Sequence, residues 1–170
     1  VSCNGKIFNL LCPKLRAWHA GKSMWKNDIN INDYSIGIEL ENKGHEYGYS
    51  SFTQKQYTSL KKLVNFLKKN YFIVEENFIF HSDISPNRKK DPGEKFLINN
   101  IGINKFKNLK NTNNIYSLND MLNFYGFHKF YIKNYRKHCI MAVKRSLNYK
   151  KISPYISNKF LNNFYNLLFT

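Results

Sequence analysis

A histidine and an aspartate ten residues apart, His81 and Asp91, frame the run HSDISPNRKKDPG, the densest cluster of chemically able side chains in the sequence. Imidazole nitrogen and carboxylate oxygen are ordinary zinc ligands, and a loop of this length can bring both onto one ion. Two ligands do not hold a zinc, and a His and an Asp around a loop serve equally as hydrogen-bonded structure. Beside a metal, Glu39 gains a role: the ion lowers the pKa of its bound water and a nearby carboxylate takes the proton. Glu41, on the same face of the same segment, is its rival; without a metal either is an exposed strand carboxylate. Lys89, two residues before Asp91, could set a cation beside a forming oxyanion; taken alone it is a surface lysine. In Arg16-Ala17-Trp18-His19-Ala20-Gly21 a Trp and a His stand next to small residues. Such a loop lines a groove, or buries its Trp and hydrogen-bonds its His. His45, His128 and His138 lack partners at ligand spacing and read as structural.

These groups need elements to hold them. Ile36, Ile38 and Leu40 alternate with Ser35, Gly37, Glu39 and Glu41, the period of a strand with one buried face. Gly37 beside Glu39 leaves room for a ligand or another backbone. Residues 7–11 read as a short buried strand, and Phe78-Ile79-Phe80 as a strand ending at His81. An irregular polar segment through Pro86 and a turn at Asp91-Pro92-Gly93 follow. Thr53 to Gln56 form a capping box that opens a helix carrying Tyr57, Leu60, Leu63, Val64, Leu67 and Tyr71 on one face. Asn104 to Asn114, rich in Lys and Asn without periodicity, reads as a linker. Three helical patterns come after it. Ser117 precedes Leu118, Met121, Leu122 and Tyr125 with Gly126 as a stop; Ile132 to Leu147 carries Ile140, Val143 and Leu147; Ser153-Pro154 opens a last helix with Phe160, Leu161, Phe164 and Leu168.

With 170 residues, 42% hydrophobic and 16% aromatic, the chain is long and apolar enough for a packed core and does not read as disordered. No apolar run reaches the roughly 18 residues of a membrane span. No signal peptide is visible, and a chain that starts on Val1 is expected to lack upstream residues. Cys3, Cys12 and Cys139 form no C-x-x-C pair and leave one thiol over, against both a disulfide framework and a thiolate metal site. The net charge of +16 suits any polyanion. Nucleic acid is not the expected partner, because that role calls for aromatics interleaved with Lys/Arg on a sheet face, whereas Trp18 and Trp25 sit in a loop.

Three segments in order, RAWHAGKSMW at 16–25, NDYSIGIELEN at 32–42 and HSDISPNRKKDPG at 81–93, resemble the type 2 N-acetylmuramoyl-L-alanine amidases, the AmpD/AmiD-like group that shares the peptidoglycan recognition protein fold. The likeness covers roughly residues 4–103. It implies an α/β fold, a mixed β-sheet flanked by helices, followed here by a small all-α C-terminal module. It implies that His81 and Asp91 are two of three zinc ligands, that Glu39 is the general base and that Lys89 stabilises the tetrahedral intermediate. Trp18, His19, Ala20, Gly21, Asn32 and Arg88 are placed on the substrate side. The implied reaction is hydrolysis of the amide joining N-acetylmuramic acid to L-alanine in peptidoglycan or muropeptides. The family's third ligand, an early histidine, has no counterpart before His19, so residues 1–103 are expected to be an N-terminally incomplete catalytic domain, with 104–116 as linker. Residues 117–170 loosely resemble a three-helix peptidoglycan-binding module, which favours the cell envelope or periplasm over the cytoplasm. A monomer is expected. The alternative is a peptidoglycan-binding protein without catalysis.

Overall fold

The computed structural model describes residues 1–104 and 116–169. Its α/β fold has, among these residues, one small antiparallel sheet, β1 (Met24–Trp25) and β2 (Asp28–Ile29), paired Met24 to Ile29 and Trp25 to Asp28. Helices α1 (Gln54–Tyr71), α2 (His81–Ile84), α3 (Leu118–Tyr125), α4 (Lys129–Ser146) and α5 (Asn158–Phe169) complete it. The expected linker falls, apart from its ends, outside the described residues.

Helix α1 starts where the capping box places it: Thr53 Oγ1 accepts the Gln56 N–H at 3.1 Å and Gln56 Oε1 accepts the Thr53 N–H at 2.9 Å. Tyr57, Leu60, Val64 and Leu67 on its inner face are buried, each contributing about 1.5–3 kcal/mol. Tyr57, Leu60 and Val64 form a first core with Phe52, Phe80, Phe96, Ile101 and Ile103, against which Ile38 and Leu40 pack. The alternation read from the sequence therefore places Glu39 and Glu41 outward. No ladder is assigned over 35–41, however. Near its end the segment meets the first residue, whose amino group donates to Glu39 O at 2.6 Å and whose carbonyl accepts the Glu41 N–H at 2.9 Å, and the Gln56 side chain, whose Nε2 donates to Glu41 O at 2.8 Å. Phe78–Phe80 likewise is extended without a ladder, with Phe80 in the first core and Ile79 against the second.

The buried strand expected at 7–11 is corrected: Ile7, Phe8, Leu10 and Leu11 are all exposed, Leu10 at 84%. The chain just before it is anchored to α1, where Thr53 Oγ1 donates to Cys3 O and Ser59 Oγ to Gly5 O. Gly5 has φ +85° and lies so close to α1 that a Cβ would sit 2.9 Å from Lys55 O.

The second core joins the three C-terminal helices to residues from the first half of the chain. Met121, Leu122, Tyr125, Phe127, Ile140, Val143, Phe160, Phe164 and Leu168 pack with Ala20, Trp25, Ile31 and Ile84. Trp25 meets α3 at its end, where a Cβ on Gly126 would lie 2.3 Å from the indole. Ser117 caps α3 and Gly126 stops it, as the sequence implies. Helix α4 begins at Lys129, three residues before the expected start, because His128 Nδ1 accepts the Phe130 N–H and caps it. Helix α5 begins at Asn158, not after Ser153-Pro154, because Ser157 Oγ accepts the Phe160 N–H.

Candidate active site

His81 opens α2, a single turn where the sequence suggested an irregular polar stretch. Ser82, Asp83, Ile84, Ser85 and Pro86 are all buried. Most of this buried polar run is bonded: the Ser82 N–H donates to Asp91 O at 3.0 Å, Asp83 Oδ2 accepts the Phe80 N–H at 3.0 Å, and Ser85 Oγ donates to Lys22 O at 2.7 Å, while Ser82 Oγ has no hydrogen-bond partner among the described residues. The first of these bonds brings the two ends of the loop together. His81 Nδ1 lies 2.9 Å from Asp91 Oδ2, and Nε2 lies 3.2 Å from Ala20 O. A neutral imidazole has one N–H and donates to one of these acceptors. Partial burial pushes the Asp91 carboxyl up, but its bond to His81, the His81 charge and the Lys89 ammonium outweigh burial and hold it below the usual carboxylate value.

The loop at 16–21 is fixed from two sides. Asn32 is 4% exposed, and its Oδ1 accepts the N–H groups of His19 at 3.1 Å and Ala20 at 2.7 Å. Arg88 Nη2 donates to Ala20 O at 3.2 Å, Lys22 O at 2.9 Å and Ser85 Oγ at 3.0 Å, tying the loop to α2. Gly21 has φ +60°, and a Cβ there would meet this guanidinium at 3.1 Å. The roles visible for Asn32 and Arg88 are thus to hold the loop. The space beside Gly37 is filled by His19, whose Cγ would lie 2.5 Å from a Cβ at that position. His19 Nε2 lies 3.3 Å from both the carbonyl and the Oγ of Ser35. Trp18 is 82% exposed, with the Arg16 guanidinium 3.9 Å from its ring centre and Arg16 paired to Asp33.

One cavity of about 1220 Å³ gathers His19, Ala20, Asn32, Glu39, His81, Lys89 and Asp91 along its wall, while Trp18, Gly21 and Arg88 lie outside it. Its apolar floor includes Leu60, Val64, Phe80 and Ile84. The structure separates the two rival glutamates. Glu39 lines the cavity, whereas Glu41 does not and uses Oε2 to accept the Cys3 N–H at 2.6 Å. A carboxylate, an ammonium and two imidazoles lining one cavity are groups of the kind that accept a proton from water and stabilise an oxyanion.

His81 and Asp91 are donors of the type zinc takes, but a zinc site needs three or four ligands. Among the described residues no group of three His, Cys, Asp or Glu could hold a metal ion. The donor set on its own therefore does not fit a closed zinc site. His45 bonds Glu94 at 3.1 Å, His128 caps α4 and His138 stacks edge-on to Tyr135, as structural histidines do. All three cysteines are free thiols. Sequence reasoning missed Asp83 and Ser85; the available signal was a carboxylate at the third position of a helical turn, where it accepts backbone N–H groups.

Residues 1–94 match the sequence model of the N-acetylmuramoyl-L-alanine amidases. The chain is 43% identical over 97 residues to the 1,6-anhydro-N-acetylmuramyl-L-alanine amidase AmpD of Haemophilus influenzae, covering 56% of this chain and 50% of that protein. It is 41% identical over 100 residues to the N-acetylmuramoyl-L-alanine amidase AmiD of Escherichia coli, covering 55% of this chain and 36% of that one. The chain thus spans half or less of the length of these curated relatives. E. coli AmiD, solved with the substrate anhydro-N-acetylmuramic acid-L-Ala-D-gamma-Glu-L-Lys, superposes with a TM-score of 0.76 at 26% identity, over 95% of this chain and 72% of that one. AmpDh3 from Pseudomonas aeruginosa, in complex with anhydromuramic pentapeptide, gives 0.76 at 25% identity, over 94% and 71%. Both superpositions extend past residue 94, so the helical part has a counterpart in these folds.

Proposed function

The chain belongs to the N-acetylmuramoyl-L-alanine amidase family, and on that premise we propose that it hydrolyses the amide between N-acetylmuramic acid and L-alanine in muropeptides or peptidoglycan. The observation that supports this reading best is that Glu39, Lys89, His19, His81 and Asp91 all line one cavity. Glu39 takes the proton of the attacking water, and Lys89 faces the oxyanion that forms at the carbonyl. His19 and Ala20 line the substrate side; Trp18, Gly21, Asn32 and Arg88 shape and hold the loop that carries them. Zinc, with His81 and Asp91 as two of its ligands, belongs to this proposal only together with a donor beyond the described residues.

Residues 1–103 form the catalytic unit in this reading, 104–116 a linker, and 117–170 a module that adds affinity for peptidoglycan. A monomer acting in the cell envelope goes with it; the cytoplasm is the alternative. No helix among the described residues is long and apolar enough to cross a membrane. The two-donor set favours a second reading, a peptidoglycan binder without turnover.

Mass spectrometry after incubation with anhydromuramyl-tripeptide decides between them. Release of free stem peptide, falling about 10²- to 10⁴-fold in Glu39→Gln, is expected of the enzyme. Retention on insoluble peptidoglycan with no release, with or without added zinc, sinks the amidase reading in favour of the binder.

A further inference from the structure

Two residues along from His81, the carboxylate of Asp83 is fully covered. Its Oδ2 closes the α2 turn by accepting the Phe80 N–H, and its Oδ1 accepts the hydroxyl of Tyr125 at 3.0 Å. Tyr125 is the last residue of α3 and is 1% exposed. Its hydroxyl also meets Ser146 Oγ, at the end of α4, at 2.6 Å. The ring cannot drift: it stacks on Phe127 with centroids 5.0 Å apart and meets Trp25 edge-on at 6.0 Å. Trp25 in turn is closed against Gly126, and the Lys26 N–H donates to Gly126 O at 2.7 Å. Beyond its bond to Asp83, the ring and hydroxyl are held by the ends of α3 and α4, by Phe164 of α5, which the ring meets edge-on at 6.0 Å, and by the β1–β2 hairpin that follows the His19 loop.

We propose that Tyr125 is a positioning residue for the candidate active site: through Asp83 it sets the orientation of the single turn that presents His81 to Asp91. A bond from a hydroxyl to a carboxylate is about twice as strong as one between neutral groups, and a buried acceptor deprived of its donor relaxes towards another. A four-residue helix has almost no stability of its own, so its pitch follows whatever holds its buried face. The C-terminal helices accordingly act on the His81–Asp91 pair through defined atoms, beyond any affinity they add for substrate. A consequence for turnover rests on the amidase reading; the effect on His81 does not.

The test is carried out on the full chain with Tyr125→Phe, which removes one oxygen and keeps the ring, and with Leu168→Ala, a fully buried α5 side chain of the same core. Tyr125→Phe should move the imidazole ¹H–¹⁵N resonances of His81 and speed amide exchange from Phe80 to Ser85 at least about tenfold, with α1 unaffected. Leu168→Ala should lower the melting temperature and leave the His81 resonances in place. Ser146→Ala, which spares the carboxylate, should displace the same resonances less, and it stands in if Tyr125→Phe does not fold. Unchanged His81 resonances in the folded Tyr→Phe or Ser→Ala variant overturn the proposal, as does an equal displacement in Leu168→Ala. If the wild-type chain releases no stem peptide and Tyr125→Phe still moves His81, the amidase reading falls and the positioning role stands.

Discussion

Two glutamates two residues apart, on the same outward face of one segment, end up with different work. Glu41 is tied to the Cys3 N–H, while Glu39 is left facing the cavity. Periodicity could not rank them, although the family resemblance favoured Glu39, because their difference lies in the turn at the chain start that only the Glu41 side chain reaches. Gly37, read as a space for a ligand, is instead the seat of the His19 ring. In Gly37→Ala the new methyl would lie 2.8 Å from His19 Cβ, which cannot swing away as a side-chain tip could. That variant is expected to lose about 1–3 kcal/mol by thermal melting and to release stem peptide more slowly as His19 is pushed off Ser35. Glu94 offers a test by pH. Burial pushes its carboxyl up, but its own backbone N–H, its bond to His45 and the His45 and Arg145 charges prevail and hold it below the usual value. A carboxyl depressed in the folded state contributes stability that is full above its unfolded pKa and lost as pH falls through the folded one. Urea midpoints should therefore drop less between pH 5 and pH 3 in Glu94→Gln than in the wild type.

At the level of elements, what the sequence disclosed best was what local chemistry decides. Thr53 and Gln56, and Ser117 with Gly126, mark helix ends because the cap bonds span three or four residues. Thr53→Ala should lower stability by about 1 kcal/mol in urea titration, since the Gln56 N–H loses its acceptor. The elements that misled were those whose state depends on distant partners. Ile7 to Leu11 has the composition of a buried strand, yet among the described residues no neighbour pairs with it; Ile36 to Leu40 keeps its alternation but, among the same residues, not its ladder. Strand pairing is a property of two segments, and periodicity in one reports only the face it would bury. The site itself was legible as residue types in three segments. The loop-holding work of Asn32 and Arg88 was not, because each bonds to backbone far away in sequence, nor was the bond of Asp83 to the distant Tyr125 hydroxyl.

Over the whole molecule, the boundary near residue 104 that composition suggests does not divide the packing. Ala20, Trp25, Ile31 and Ile84 belong to the same core as α3, α4 and α5. The likeness to solved amidases over 95% of the chain, against a family match that stops at residue 94, agrees with helices that packing has made part of the fold. The bare apolar stretch near the chain start reaches beyond the site. Ile7, Phe8, Leu10, Leu11 and Leu15 stand at the surface amid Lys6, Lys14 and Arg16, and the first acidic residue is Asp28. Mutual repulsion at a charge of +16 keeps such surfaces apart only while the surrounding ions let it be felt. Its reach shrinks from roughly 30 Å at 0.01 M salt to about 8 Å at 0.15 M. Light scattering should consequently show dispersed particles in dilute buffer and growing clusters as sodium chloride is added, and Leu10→Lys should delay their onset. For this protein, ordinary saline is a condition in which colloidal stability has to be defended.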